Sequence, residues 1–213
     1  MKTSIFPLVF LISAASSFVA PNDTTAQLVG NGGFESGTNP GFDFINVPTG
    51  NSTTISGWTI GSGNVDYIGG RWSAASGVRS VDLNGTLAGS ISQNINGVTV
   101  GQTYRLYFYM AASPDAGTGA SRTLQVNVGA VSQTFTAIGT GLYSAPGWSQ
   151  CSLDFTANSS TVTLSFLSNN SGPWGPILDD VSIVSAPEPT GLLMICGGVL
   201  FLGLQMQKQR PPI

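Results

Sequence analysis

Apolar residues recur at every second position over short runs of this chain, and helical spacing is missing until close to the C-terminus. The clearest run is Thr103–Ala112, where Tyr104, Leu106, Phe108 and Met110 point one way and Arg105, Tyr107, Tyr109 and Ala111 the other. Leu124, Val126 and Val128 alternate with Gln125 and Asn127; Val162, Leu164 and Phe166 alternate with Thr161, Thr163 and Ser165. Shorter runs are Ile55–Ile60, Asn64–Ile68, Arg79–Leu83, Ser90–Ile95, Ser132–Thr136, Ser149–Thr156 and Ile177–Val184. Short strands bounded by Gly, Asn, Ser and Pro predict an all-β sandwich whose two sheets share one apolar interior. Asn84-Gly85 and Asn96-Gly97 are expected at reversals that need positive φ, and Gly69–Gly77 and Ala111–Ser121 are expected to be surface loops.

Two continuous apolar stretches stand outside this pattern. Residues 1–26 carry Lys2, an apolar run from Ile5 to Ile12 and then small residues, the layout of a secretory signal peptide. Cleavage after Ala26 is favoured over a site near Ala15, because a strand is expected to begin at Leu28. At the other end, residues 186–213 contain an uncharged run from Thr190 to Gln207 followed by Lys208 and Arg210. As a helix that run spans roughly 27 Å, marginally a bilayer core, and it has no polar face. A transmembrane helix with a cytoplasmic basic stop is expected there. Residues 27–185 remain, the size of one domain, with no internal repeat.

Charge and cysteine narrow the function. Within 27–185, Arg71, Arg79, Arg105 and Arg122 stand against Glu35, Asp43, Asp66, Asp82, Asp115, Asp154, Asp179 and Asp180. Such a surface is a poor partner for a phosphate backbone, so no nucleic acid is expected. Cys151 is the domain's only cysteine, so no disulfide forms within it; a half-buried strand position is expected for it. Histidine is absent throughout and lysine is absent between Thr3 and Gln207. That closes histidine-dependent nucleophilic catalysis, zinc ligation and lysine chemistry.

Several phrases then fall in a familiar order: Val29-Gly-Asn-Gly-Gly-Phe-Glu35, Gly57-Trp58, Val65-Asp-Tyr67, Gly77-Val-Arg-Ser-Val-Asp-Leu-Asn-Gly85 and Leu178-Asp-Asp-Val-Ser182. In this set the chain resembles the bacterial choice-of-anchor C family, related to a plant cell-wall domain of unknown function, number 642. The resemblance implies a galactose-binding-like jelly-roll fold. Pro187-Glu188-Pro189, the apolar run and the basic end resemble a PEP-CTERM sorting signal. That likeness implies an exosortase-type transpeptidase as partner and a cell-envelope, cell-surface or extracellular-matrix destination, with transient membrane anchoring by the tail. A permanent anchor is the alternative. Related jelly-roll modules hold a structural calcium through positions that Glu35, Asp179 and Asp180 match. Alternatively, Glu35 is an exposed turn carboxylate and the aspartates end a strand.

Candidate ligand contacts come from the residues themselves. Sugar rings pack their C–H faces on aromatic rings, and their hydroxyls need polar partners. Trp72 and Trp174 lie in Gly-rich loops, and Arg105, Tyr107 and Tyr109 share the strand face opposite Leu106 and Phe108. These five are the candidate contacts for a polysaccharide or exopolysaccharide. Trp58 and Trp148 start strands and are expected to pack; Asp82 and Asn84 either bond hydroxyls or close a turn. The leading expectation is a non-catalytic carbohydrate-binding module. A structural matrix or surface-layer protein is the alternative, and a glycoside hydrolase, which needs two carboxyls across a cleft, a weaker one.

Overall fold

The computed structural model describes residues 27–186. The expected signal peptide, the Pro187-Glu188-Pro189 signal and the tail helix lie outside the described residues. Among those described, no helix is long and apolar enough to cross a membrane.

Among the described residues there are eleven strands: β1 Phe44–Pro48, β2 Thr59–Ser62, β3 Asn64–Ile68, β4 Ser80–Asp82, β5 Ser90–Asn96, β6 Thr103–Ala112, β7 Ser121–Val128, β8 Val131–Ile138, β9 Ser149–Thr156, β10 Thr161–Ser168 and β11 Pro176–Ser185. They form an all-β sandwich of two antiparallel sheets. One sheet runs β1-β3-β4-β11-β6-β9 and the other β2-β5-β10-β7-β8. Only β3–β4 and β7–β8 are successive strands within one sheet. Every other connection crosses between sheets, which is how a jelly roll is wound.

Period-two patterning explains the layers. Leu106, Phe108 and Met110 of β6, Val65 and Tyr67 of β3, and Leu178 of β11 are buried against Ile91, Val126, Leu164 and Phe166 of the facing sheet. Phe108 meets Phe166 edge-on at 5.3 Å and Phe135 at 5.1 Å, geometry that suits the ring quadrupole. Trp58 is buried as expected and donates its indole N–H to the Asn31 carbonyl. Cys151 lies half-buried on β9.

Three local expectations fail, each for a tertiary reason. No strand begins at Leu28: Asn31 and Phe34 adopt positive φ, at 53° and 59°, and the segment folds into turns that bury Val29 and Phe34. Ile55 is not in a strand; it makes an isolated bridge to Gly37, and β2 starts only at Thr59. Of the two reversals, Gly97 takes positive φ (81°), whereas neither Asn84 nor Gly85 does. Gly85 is needed for space, because a Cβ there would lie 2.1 Å from Asn46 Nδ2 and 2.7 Å from Asn64 Oδ1. The edge strand β1 was not apparent from the sequence; it is short, only Val47 of it is buried, and it ends in Pro48.

Candidate functional site

The outer face of the six-stranded sheet carries a row of side chains from five strands, set by register: Asn46, Asp66, Asp82, Ile177, Ala111. Alternation sends Asp66 to this face because Val65 and Tyr67 are pulled into the core. A small second apolar cluster forms there from Ile68, Trp72, Ala111 and Ile177, with Trp148 packed beside it. The loop after β3 is fastened over this cluster. Trp72 Nε1 donates to Ser80 Oγ (3.0 Å), Trp148 Nε1 to the Ser73 carbonyl (2.9 Å), and the Ser73 N–H to the Tyr143 carbonyl (2.9 Å).

Where that loop meets the sheet, a recess of about 100 Å³ opens. Its apolar lining includes Phe44, Trp72 and Trp174, and its polar lining is Asp66, Arg71, Asp82 and Asp115. Arg71 is held from four sides. Its Nε and Nη2 donate to Asp115 at 2.9 and 3.0 Å, and its Nη1 donates to Asp43 at 2.7 Å. The guanidinium carbon lies 5.6 Å from the Phe44 ring and 5.8 Å from the Tyr143 ring, within cation–π reach of both. The Tyr143 hydroxyl also donates to Asp115.

The carboxyls around the recess differ in proton affinity. Burial works to raise Asp115, but the Arg71 guanidinium and the Tyr143 hydroxyl outweigh it and hold the carboxyl below its ordinary range. Asp66 is raised by burial despite the Asn46 amide donating to it. Asp82 is 2% exposed, and burial pushes it up to about 7 against the backbone N–H groups of Asn84 and Gly175. A carboxyl protonated near neutrality is what a general acid requires. Here, though, Asp82 Oδ1 accepts from Asn84 N and Gly175 N, both at 2.9 Å, which makes it a buried organiser of two backbone segments. Asn84 does the same work, its Nδ2 donating to the carbonyls of Asn170 and Gly172. Of the two expectations for this pair, the hydrogen-bonded turn is the one realised.

The candidate ligand contacts fall into two groups. Trp72 and Trp174 meet in the recess. Trp72 is only 5% exposed and presents little more than an edge, while Trp174 is 50% exposed at φ 65°. Its carbonyl accepts from Arg122 Nε, which holds the strained residue in place. Arg105, Tyr107 and Tyr109 lie on the same outer face but do not line the recess. Arg105 forks onto Asp154, its cross-strand partner, at 2.5 and 2.7 Å. Tyr109 stands beside Asp179 in register.

The expected calcium ligands hold a loop. Glu35 Oε1 accepts from Val78 N and Arg79 N at 2.8 and 2.9 Å. Asp179 Oδ2 accepts from Ala75 N and Ser76 N, and its Oδ1 from Asp180 N. Burial pushes Asp179 up to about 7 in spite of those donors. Asp180 is exposed, at φ 48°, where β11 shifts register. Among the described residues no three acidic, His or Cys side chains gather as a cation site. The N–H donors take both lone pairs of Glu35 Oε1 and of Asp179 Oδ2, whereas Glu35 Oε2 and the Asp180 carboxylate accept no hydrogen bond among the described residues.

Sequence reasoning passed over Phe44, Asp66, Arg71, Asp115 and Tyr143 as site residues. Arg71 carried the only signal, an arginine beside a tryptophan in a Gly-flanked loop of a domain with few cations.

Residues 27–184 match the family described as protein of unknown function DUF642. The chain belongs to that family. Halomucin of Haloquadratum walsbyi is 34% identical to this DUF642 chain over 194 residues, 87% of the chain but 2% of halomucin's own length. Among solved structures, a family 35 carbohydrate-binding module from Clostridium thermocellum is similar with a TM-score of 0.47 and 18% identity, covering 68% of this chain and 99% of that one. TmCBM61 in complex with β-1,4-galactotriose is similar at 0.49 and 18%, covering 76% and 100%. The CBM22-1 xylan-binding domain of Paenibacillus barcinonensis Xyn10C is similar at 0.44 and 17%, covering 72% and 99%. These are likenesses of fold alone.

Proposed function

We propose that this DUF642 domain is a non-catalytic carbohydrate-binding module that seats a sugar ring in the recess beside Arg71. The supporting observation is the recess itself. Half-exposed Trp174 and Phe44 offer apolar faces at its mouth, next to carboxylates and a guanidinium locked in one orientation. Apolar surface with a few fixed polar groups is what recognition of a sugar requires. Groups already immobilised lose little further entropy on binding. Trp174 is the platform, Asp66 and Asp115 accept hydrogen bonds from sugar hydroxyls, and Arg71 keeps Asp115 ionised and oriented.

In this reading the module works outside the cytoplasm, as a choice-of-anchor C type protein. It is exported by residues 1–26 and sorted at Pro187-Glu188-Pro189 by an exosortase-type transpeptidase, leaving it in the envelope or extracellular matrix. The support is the order of motifs in the sequence. Isothermal titration of the full-length chain against a polysaccharide panel tests the binding, with Trp174→Ala as control. Absence of heat with every glycan rejects it.

A structural role has one observation in its favour. β8 is a sheet-edge strand of eight residues, Val131–Ile138, carrying neither charge nor proline. Such edges usually bear charge or proline to block pairing between chains. Concentration-dependent oligomers by light scattering, abolished by Thr134→Lys, would support self-association there; a monomer at all concentrations removes it.

A further inference from the structure

We infer that the recess selects sugars that donate hydrogen bonds and carry no negative charge, so neutral and amino sugars enter and uronates or sulfated sugars are turned away. This rests on the glycan reading above and narrows its ligand class.

Donors and acceptors in the lining set this selectivity. Most side-chain donors of the lining are committed inside the protein; one N–H on each Nη of Arg71 and the Trp174 indole N–H have no partner among the described residues. Arg71 gives Nε and Nη2 to Asp115 and Nη1 to Asp43. Trp72 gives its indole N–H to Ser80, and neighbouring Asn46 gives Nδ2 to Asp66 Oδ1 at 2.7 Å. Against the three unpartnered N–H groups stands a larger acceptor capacity. Asp66 Oδ2 has no hydrogen-bond partner among the described residues, and the Asp82 carboxyl lines the same space. A ligand hydroxyl or ammonium finds oxygens to donate to, whereas a ligand carboxylate finds few free N–H groups.

Charge points the same way. Asp66, Asp82 and Asp115 line the recess against a single guanidinium, which Asp43 shares from outside. Like charges in a partly desolvated pocket are a strong exclusion device. Arg122, whose Nε donates to the Trp174 carbonyl, adds one positive charge at the rim and still leaves the lining carboxylates in excess.

The test is calorimetric titration of the full-length chain at pH 8 with matched oligomers of galactose, galacturonate and galactosamine, and of glucose, glucuronate and glucosamine. Binding of a neutral oligomer with its uronate counterpart at least about tenfold weaker is the expected result. Asp66→Asn, which keeps an oxygen for Asn46, should narrow that ratio; Asp43→Asn, at an exposed side chain, should narrow it too and guards against a misfolded first variant. A uronate bound as tightly as its neutral counterpart overturns this inference and leaves the glycan reading standing. Failure of all six series to bind overturns the inference; the glycan reading falls only if the wider polysaccharide panel fails as well.

Discussion

Arg71 and Asp115, separated by 44 positions, meet fork to fork, with Nε and Nη2 of one donating to Oδ2 and Oδ1 of the other. The pair joins the loop after β3 to the 3-10 turn Pro114–Ala116 after β6, and so fixes two walls of the recess. Replacing Asp115 by Asn keeps the shape and removes the charge. One charge-assisted bond is lost, because the amide nitrogen cannot accept, and the other is weakened on a partly exposed pair, so a loss of about 1–2 kcal/mol is expected. Urea denaturation would measure it. Glycan affinity should fall further than this stability loss explains, since Arg71 loses its orientation; unchanged affinity would detach the pair from the site.

Trp174 and Tyr107 separate the two groups of candidate contacts. Trp174→Ala should weaken glycan binding by about tenfold or more, the scale of a lost aromatic anchor, with little change in Tm because the ring is half exposed. Tyr107→Ala, on the outer face away from the recess, should leave affinity unchanged. The reverse pattern in titration would move the site to the β6 strip.

Stability should fall as pH rises from about 4 to beyond 7. Asp82 and Asp179 are both raised by burial to about 7, while an unfolded aspartate ionises near 4. Below pH 4 both states hold the proton and the contribution is fully present. Between 4 and 7 the unfolded chain releases protons that the fold retains, so the contribution is lost as pH climbs through the folded value. From pH 5 to pH 8 each group removes on the order of 2–3 kcal/mol. Asp115 and Asp154, whose pKa values are lowered, act in the opposite sense but below this window. Asp82→Asn retains an oxygen for Asn84 and Gly175 and should flatten the profile, readable as Tm against pH. A profile rising from pH 5 to 8 contradicts the assignment.

Glu35 and Asp179 fasten the loop through backbone N–H groups, so excess chelator should leave Tm where it was. Glu35→Ala should instead lower stability by about 1–2 kcal/mol, for two backbone donors left without their carboxylate. A chelator-induced fall in Tm, restored by calcium, would show that a cation does part of this work.

Sorting at the tail predicts a mature protein without Leu192–Ile213. Intact mass spectrometry of protein recovered from its native envelope decides this, and retention of that segment means a permanent anchor.

Alternation of apolar and polar positions was enough to determine β3, β6 and β9 to the residue and the sandwich as a class. The reason is that side-chain period and burial are both local to a strand: Leu106, Phe108 and Met110 must share a face whatever lies opposite. Absence of histidine likewise excluded whole chemistries without any coordinates. The recess was beyond such reasoning. Phe44, Asp66, Arg71, Asp115 and Tyr143 come from separate segments, and only strand register and the folded-back loop make them neighbours. In the sequence Glu35 reads as a calcium ligand or an exposed turn carboxylate, and Asp82 as a hydroxyl partner or a turn residue; packing decides which backbone N–H groups they face. Gly85 read as a turn glycine, yet three side chains from β1 and β3 crowd its α-carbon. Periodicity records which face a residue takes, and only the fold records what waits there.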